Sequence, residues 1–121
     1  MHHDLPKSIK RVLRHLMDVA YERALSRELA KLEERFVAWR AGTITSFELN
    51  ERIHHHHQGP SRELWSRYSD VRAADMVVAA AVVDGLIKQE EVPAEVFAAM
   101  SRQLAFYQSL QERQARPAPE P

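Results

Sequence analysis

Five apolar residues spaced by four, three, four and three positions place the strongest constraint on the fold of this chain. They are Leu25, Leu29, Leu32, Phe36 and Trp39. This spacing puts their side chains on one face of an α-helix. A second apolar stripe, offset by about one residue, lies nearer the N-terminus and comprises Ile9, Leu13, Leu16 and Ala20. The two stripes predict one long helix from about Pro6 to Ala41, closed by Gly42.

The length of this helix predicts self-association. At about 1.5 Å per residue it would extend roughly 50 Å, whereas a compact domain of 121 residues has a diameter of roughly 35 Å. Apolar residues continue along nearly the whole helix, so a single compact chain would leave some of them uncovered. We therefore expect a homodimer that acts through protein–protein interaction.

A second, short helix is predicted from Thr45 to about Gln58. Its start, Thr45-Ser46-Phe47-Glu48, has the form of a capping box, in which two side chains accept hydrogen bonds from the backbone of the first turn. Gly59-Pro60 is expected to end this helix, because proline has no N–H group to continue the helical hydrogen bonds.

A third helix is predicted from Ser61, as its N-cap, to Val83 or Asp84, with a break near Ser69-Asp70. Residues 76–83 are apolar on every side, which is typical of a helix surrounded by other helices. We therefore expect this segment at the centre of the fold. Its valines leave a β-strand as the alternative.

A fourth helix is predicted from about Pro93 to Gln114. Its buried stripe would contain Val96, Met100, Leu104, Tyr107 and Leu110. The proline-rich residues 116–121 are expected to form a disordered tail. Together these elements predict an all-α, four-helix bundle-like fold with a single domain over residues 1–115.

The charge balance and composition exclude several classes of function. The chain has 17 Lys and Arg and 17 Asp and Glu, so its net charge of zero gives no support to nucleic-acid binding. It has no cysteine, which excludes disulfides, thiol catalysis and thiolate zinc sites and suits a reducing cytoplasm. The apolar run over residues 73–83 has about half the length that a membrane span needs. We expect a cytoplasmic protein that does not enter a membrane.

Residues 42–49 and 85–92 share the pattern glycine, any residue, isoleucine, three residues, glutamate and an aliphatic residue. The pattern resembles the back half of an EF-hand calcium loop, with its turn glycine and its closing glutamate. The front half lacks the oxygen ligands that calcium needs, because the corresponding positions hold Val37, Trp39, Ala41, Ala80, Val82 and Asp84. We interpret both segments as helix connections, in which glycine ends one helix and a polar residue caps the next.

The sequence His54-His55-His56-His57 is a candidate metal site. Glu51 precedes His54 with the Glu-x-x-His spacing that di-iron bundles use. Glu51, His54 and His57 would bind zinc, nickel or iron together with a remote ligand. The remote candidates on the first helix are His15, Asp18 and Glu22. The alternative is that these histidines mark the end of a helix, where imidazolium groups interact favourably with the helix dipole.

An arginine precedes the last histidine of this tract by five residues, as Arg52 precedes His57. Arginine, four residues and histidine resemble the active-site signature of HEPN ribonucleases, which are small all-α dimers. The resemblance covers residues 52–57. It implies that His57 takes part in acid–base cleavage of RNA and that Arg52 stabilises the phosphate charge.

A basic stripe near the N-terminus is a candidate anion-binding surface. It consists of Lys7, Lys10, Arg11 and Arg14, and no acidic residue follows before Asp18. Positive charge in the first turns of a helix opposes the helix dipole, and an anionic partner would account for its presence there. The alternative is a solvated face that flanks the apolar one.

The sequence does not provide a recognisable catalytic set. No nucleophile, base and orienting group can be assembled, and no glycine-rich phosphate loop is present. We therefore expect a binding protein rather than an enzyme. Trp39, Trp65 and Tyr68 lie around the turns of helix two and are expected to pack there, whereas an exposed tryptophan would mark a contact surface.

Overall fold

The computed structural model describes residues 5–115, and this range contains helices and no β-strand. Its α-helices are α1 (Lys7–Arg40), α2 (Ser46–His56), α3 (Arg62–Ser69), α4 (Ala74–Val83), α5 (Ala94–Ala99) and α6 (Ser101–Ala115). A π-helical turn (His57–Ser61) joins α2 to α3, and 3-10 turns cover Val71–Ala73 and Gln89–Glu91. The all-α prediction is confirmed, and the strand alternative for residues 76–83 is wrong. The predicted tail, residues 116–121, lies outside the described residues.

The long first helix is confirmed, and Gly42 ends it as the sequence predicts. Gly42 has a φ of 78°, a backbone conformation that costs residues with a side chain free energy. Its N–H donates to the carbonyl of Trp39 at 3.0 Å, and the N–H of Thr43 donates to the carbonyl of Ala38 at 2.9 Å. This pair of hydrogen bonds is a Schellman motif, which satisfies the last carbonyls of a helix.

The second glycine segment repeats this geometry after α4. Gly85 has a φ of 80°, and its N–H donates to the carbonyl of Val82 at 3.1 Å. The N–H of Leu86 donates to the carbonyl of Ala81 at 2.8 Å. Both segments therefore end a helix by the same motif, as their shared sequence pattern predicts.

Gly59-Pro60 does not end the second helix, and this prediction is wrong. The backbone continues from α2 through the π-helical turn into α3, with Pro60 inside the turn. A proline ring normally collides with the carbonyl four residues earlier, and the wider hydrogen-bonded ring of a π turn relieves that contact. Ser61 is not an N-cap, because its backbone is helical and its side chain makes no capping hydrogen bond.

The predicted break near Ser69-Asp70 is confirmed. Asp70 is extended, with φ −89° and ψ 97°, and a 3-10 turn separates it from α4. The fourth predicted helix is also interrupted, at Met100, whose φ of −100° and ψ of 11° divide it into α5 and α6. Of its predicted stripe, Val96, Met100 and Leu104 are buried, whereas Leu110 is exposed.

The chain divides into two compact units, one with the residues up to Ala20 and from Val71 onward, the other with Tyr21–Asp70. The helix α1 contributes to both units. The predicted single domain and the predicted four-helix bundle stay predictions.

The first unit has an apolar core. Its buried side chains are Leu13, Leu16, Met17, Ala20, Ala74, Val78, Ala79, Ala81, Leu86, Ile87, Val92, Val96, Met100 and Leu104. Helix α4 lies against α6, where the Gln103 amide donates to the Asp75 carboxylate at 2.8 Å. Met76 is exposed, so α4 is covered on most sides but not on all, contrary to the expectation from its composition.

The second unit buries much less. Its buried apolar side chains are Leu49, Leu64 and Tyr68. The rings of Tyr21 and Tyr68 stack with centroids 5.3 Å apart and an angle of 11° between their planes.

In the part of the chain that the structure describes, no helix combines the length and the apolar character that crossing a membrane requires.

Glycine substitutions test the helix connections. We expect Gly85→Ala to lower the free energy of unfolding by about 1–2 kcal/mol, because an L residue is strained at positive φ although nothing lies within 4 Å of the added Cβ. Gly59→Ala is the matched control. Its Cβ would meet only the His55 ring at 3.9 Å, so we expect stabilisation by about 0.4–1 kcal/mol. Urea unfolding measures both, and equal effects of the two substitutions would contradict the account.

Candidate functional site

The π-helical turn is the most unusual backbone feature of the second unit. The N–H of His57 donates to the carbonyls of both His54 and Ile53, and the N–H of Arg62 donates to the carbonyl of Gly59. Isolated π turns within α-helices are rare and frequently lie at functional sites. We therefore take the turn and the surfaces beside it as a candidate functional site.

One concave surface, here called the π-turn surface, has a volume of about 810 Å³. Its lining residues come from α1, the π turn and α3 and are Tyr21, His57, Ser61, Arg62, Glu63, Trp65, Ser66 and Arg67. Trp65 is the exposed aromatic side chain of this set, at 65%. The surface combines an exposed indole and a tyrosine ring with two guanidinium groups, an imidazole, a carboxylate and two serine hydroxyl groups.

A second concave surface, here called the α2 surface, has a volume of about 450 Å³ and lies along the first turns of α2. It is lined by Phe47, Glu48, Glu51, Arg52 and His55. Phe47 is 85% exposed, because it lies in the first turn of α2 on the side away from the buried Leu49.

The residues of the predicted metal site do not all line one concave surface. Glu51 lines the α2 surface, His57 lines the π-turn surface, and His54 lines neither of these two. Within residues 5–115 no three His, Asp or Glu side chains form a group that could hold a metal ion. The metal site at Glu51, His54 and His57, with zinc, nickel or iron, stays a prediction.

The two residues of the HEPN-like signature also lie on different surfaces. Arg52 lines the α2 surface, and His57 lines the π-turn surface. Both side chains are exposed. The ribonuclease hypothesis stays a prediction.

The glutamates of the two EF-hand-like segments serve as helix caps. The N–H of Thr45 donates to Glu48 Oε1 at 3.4 Å, while the N–H of Glu48 donates to Thr45 Oγ1 at 3.1 Å. In the second segment the N–H of Lys88 donates to Glu91 Oε2 at 2.8 Å. The predicted capping box at Thr45 is confirmed, and both carboxylates have a structural role.

The predicted basic stripe lies on the first turns of α1. Lys7, Lys10, Arg11 and Arg14 are all exposed, and the first turn of α1 contains no acidic residue. Anion binding at this stripe stays a prediction.

The C-terminal half of α1 carries a further surface, here called the uncovered stripe: Leu29, Glu33, Phe36, Val37 and Arg40. At about 100° per residue these five side chains fall within about a third of the helix circumference. All five are exposed, with Val37 at 62%. Of the apolar stripe predicted from the sequence, Leu25 and Leu32 are half-buried, whereas Leu29, Phe36 and Trp39 are exposed.

Trp39 differs from the other exposed members of the apolar stripe because it is held in place. Its Nε1–H donates to Ser46 Oγ at 3.0 Å, which links the end of α1 to the first residue of α2. The residue is nevertheless 40% exposed, so its packing around helix two stays a prediction. Trp65 is 65% exposed, and a contact surface at this residue stays a prediction.

Sequence reasoning missed Tyr21, Ser61, Arg62 and Ser66 as lining residues of a concave surface. Their convergence depends on the π turn, and a Gly-Pro pair normally indicates the end of a helix instead. It also missed Val37, which lies off the apolar stripe, although its exposure next to Phe36 is what widens the uncovered stripe.

The chain matches no family model, and neither the curated proteins nor the solved structures contain a similar one.

Metal addition tests the predicted metal site. If the prediction is right, zinc or nickel raises the melting temperature, because a ligand that binds only the folded state stabilises it. His54→Ala with His57→Ala would remove the shift, while His55→Ala, which removes an exposed imidazole outside the predicted ligand set, would keep it. A melting temperature that is unchanged at saturating zinc, nickel and iron contradicts the prediction.

Proposed function

We propose that the protein acts by binding proteins and that it forms a homodimer through the uncovered stripe of α1. The observation that carries this proposal is the exposure of large apolar side chains in the second unit. They are Leu29, Phe36, Val37, Trp39, Phe47, Ile53 and Trp65. Contiguous apolar patches on a protein surface usually mark contact sites.

The imbalance between exposed and buried apolar residues supports a partner for the second unit. Large apolar side chains that are exposed there outnumber those that are buried, Leu49, Leu64 and Tyr68. Burial of apolar area contributes about 25 cal/mol per Å², so covering Leu29, Phe36 and Val37 would gain stability that the single chain does not have. A second copy provides an equal apolar surface.

Charges within the uncovered stripe favour an antiparallel pair. A two-fold axis that passes midway between Phe36 and Val37 places each of these residues opposite the other in the partner. The same axis places Glu33 opposite the partner's Arg40, and this contact occurs twice. A parallel pair would instead set glutamate against glutamate and arginine against arginine, which costs free energy and gives specificity for the antiparallel arrangement.

Neither Glu33 nor Arg40 has an ion-pair partner among residues 5–115, whereas the nearby Lys31 and Glu28 pair with each other at 3.1 Å. Both members of the proposed contact are therefore able to pair across a dimer without breaking an existing ion pair.

We also propose a cytoplasmic location, which a sequence without cysteine suits, and a bundle-like arrangement of the helices.

A matched pair of valine substitutions tests the interface. We expect Val37→Glu to raise the dimer dissociation constant by about tenfold or more, because the carboxylate would have to lose water in an apolar contact. Val71→Glu is the control. Val71 is 47% exposed and lies outside the uncovered stripe, so the dimer should persist. Sedimentation equilibrium measures both, and equal dissociation constants for the two variants and the wild type would contradict the proposed interface.

A charge exchange tests the antiparallel arrangement. Glu33→Arg and Arg40→Glu, each alone, place like charges opposite each other twice, and we expect each to weaken the dimer roughly fivefold at low salt. Combining the two substitutions exchanges the charges and should restore the wild-type dissociation constant. If the dissociation constant of the double variant instead rises by the combined effect of the two single substitutions, the antiparallel register is ruled out.

A further inference from the structure

We infer that the π-turn surface binds a nucleotide unit, with Trp65 stacking on the base and Arg62 and Arg67 holding the phosphate. This site is distinct from the uncovered stripe, and it does not depend on the proposed dimer. Among its lining residues the sequence patterns assign a ligand to His57 alone, as a metal ligand or in RNA cleavage, and Arg52 of the ribonuclease-like signature lines the other surface.

The aromatic part of the site is Trp65. Its side chain lines the surface and is 65% exposed, so most of the indole is accessible to a planar ligand. Tyr21, the other aromatic residue of the lining, is already stacked on Tyr68 at 5.3 Å, so one of its faces is occupied. Bases of every type stack on such exposed rings in single-strand binding proteins, because each base has an aromatic face.

The cationic part of the site comes from α3 and the π turn. Arg62 and Arg67 both line the surface with Trp65, and neither has an ion-pair partner in the described part of the chain. A guanidinium group binds phosphate oxygens through two parallel hydrogen bonds. His57, Ser61 and Ser66 add an imidazole and two hydroxyl groups as further hydrogen-bonding groups for phosphate or sugar.

The lining carries a local positive charge although the chain as a whole is neutral. Glu63 is its one carboxylate, against two arginines. A carboxylate in a nucleotide site accepts a hydrogen bond from an exocyclic amino group of a base. The combination of an open ring, two guanidinium groups and one acceptor matches a base joined to a phosphate more closely than it matches either half alone.

The π turn contributes two of the polar residues of this surface. It joins α2 and α3 without a break and brings His57 and Ser61 onto the surface that Arg62 and Trp65 line. Without the turn, a regular helix would place His57 and Ser61 in a different register to α3. The unusual backbone and the ligand-binding side chains therefore occur in the same place.

Tryptophan fluorescence provides the test. The chain has two tryptophans, so Trp39→Phe leaves Trp65 as the only reporter in an otherwise full-length protein. The probes are a purine mononucleotide, a uridine oligonucleotide and inorganic phosphate, each titrated at low salt. We expect a nucleotide probe to quench the Trp65 fluorescence. Arg62→Gln with Arg67→Gln should weaken that binding about tenfold, while Arg102→Gln on α6 should leave it unchanged.

A second measurement separates stacking from loss of structure. In the wild-type background we follow binding of a fluorescently labelled oligonucleotide by anisotropy. We expect Trp65→Ala to lower its affinity about 5- to 150-fold, the equivalent of one stacked base, and Trp65→Phe to retain part of the affinity. Circular dichroism confirms that each variant is helical.

The outcomes distinguish the source of the ligand. Equal affinity for mononucleotide and oligonucleotide indicates a free nucleotide, and binding of the oligonucleotide alone indicates a single strand; either result supports the inference. Absence of quenching by all nucleotide probes overturns it. The inference is also overturned if inorganic phosphate fully displaces the nucleotide probes and Trp65→Ala does not change their affinity, because the base would then make no contact with the protein.

Discussion

Apolar burial is distributed unevenly along this chain, and the functional proposals depend on that distribution. In the first unit α4 packs against α6, and core residues such as Val78, Ile87 and Met100 have no exposed surface. In the second unit α1 continues as a helix with far fewer buried neighbours, and Phe36 and Val37 remain in contact with water. Since apolar burial is the main driving force of folding and of association, the second unit has the stronger reason to bind a partner.

The sequence predicted those elements whose local chemistry is sufficient by itself. Gly42 and Gly85 each follow an apolar helical run, and each adopts the positive φ that the pattern requires. Thr45 and Glu48 form the expected capping box, because its hydrogen bonds involve only neighbouring residues. The break at Asp70 was predicted for the same reason: polar residues interrupt an apolar period there.

The sequence did not predict features that depend on more than the neighbouring residues. Pro60 is tolerated inside a helix because a π turn surrounds it, and no local pattern distinguishes that case from a helix end. The lining of the π-turn surface follows from that turn, so Arg62 and Ser66 could not be predicted as neighbours of His57. The degree to which Leu29 and Phe36 are covered was equally unpredictable, since periodicity shows which face is apolar but not what packs against it.

The central claim is that the apolar stripe on the C-terminal half of α1 is covered by a second copy of the chain. Sedimentation velocity of the wild-type protein across a wide range of concentrations tests it most directly. The account predicts a species of twice the chain mass that dissociates on dilution. A single species with the mass of one chain at every concentration up to the millimolar range would contradict it.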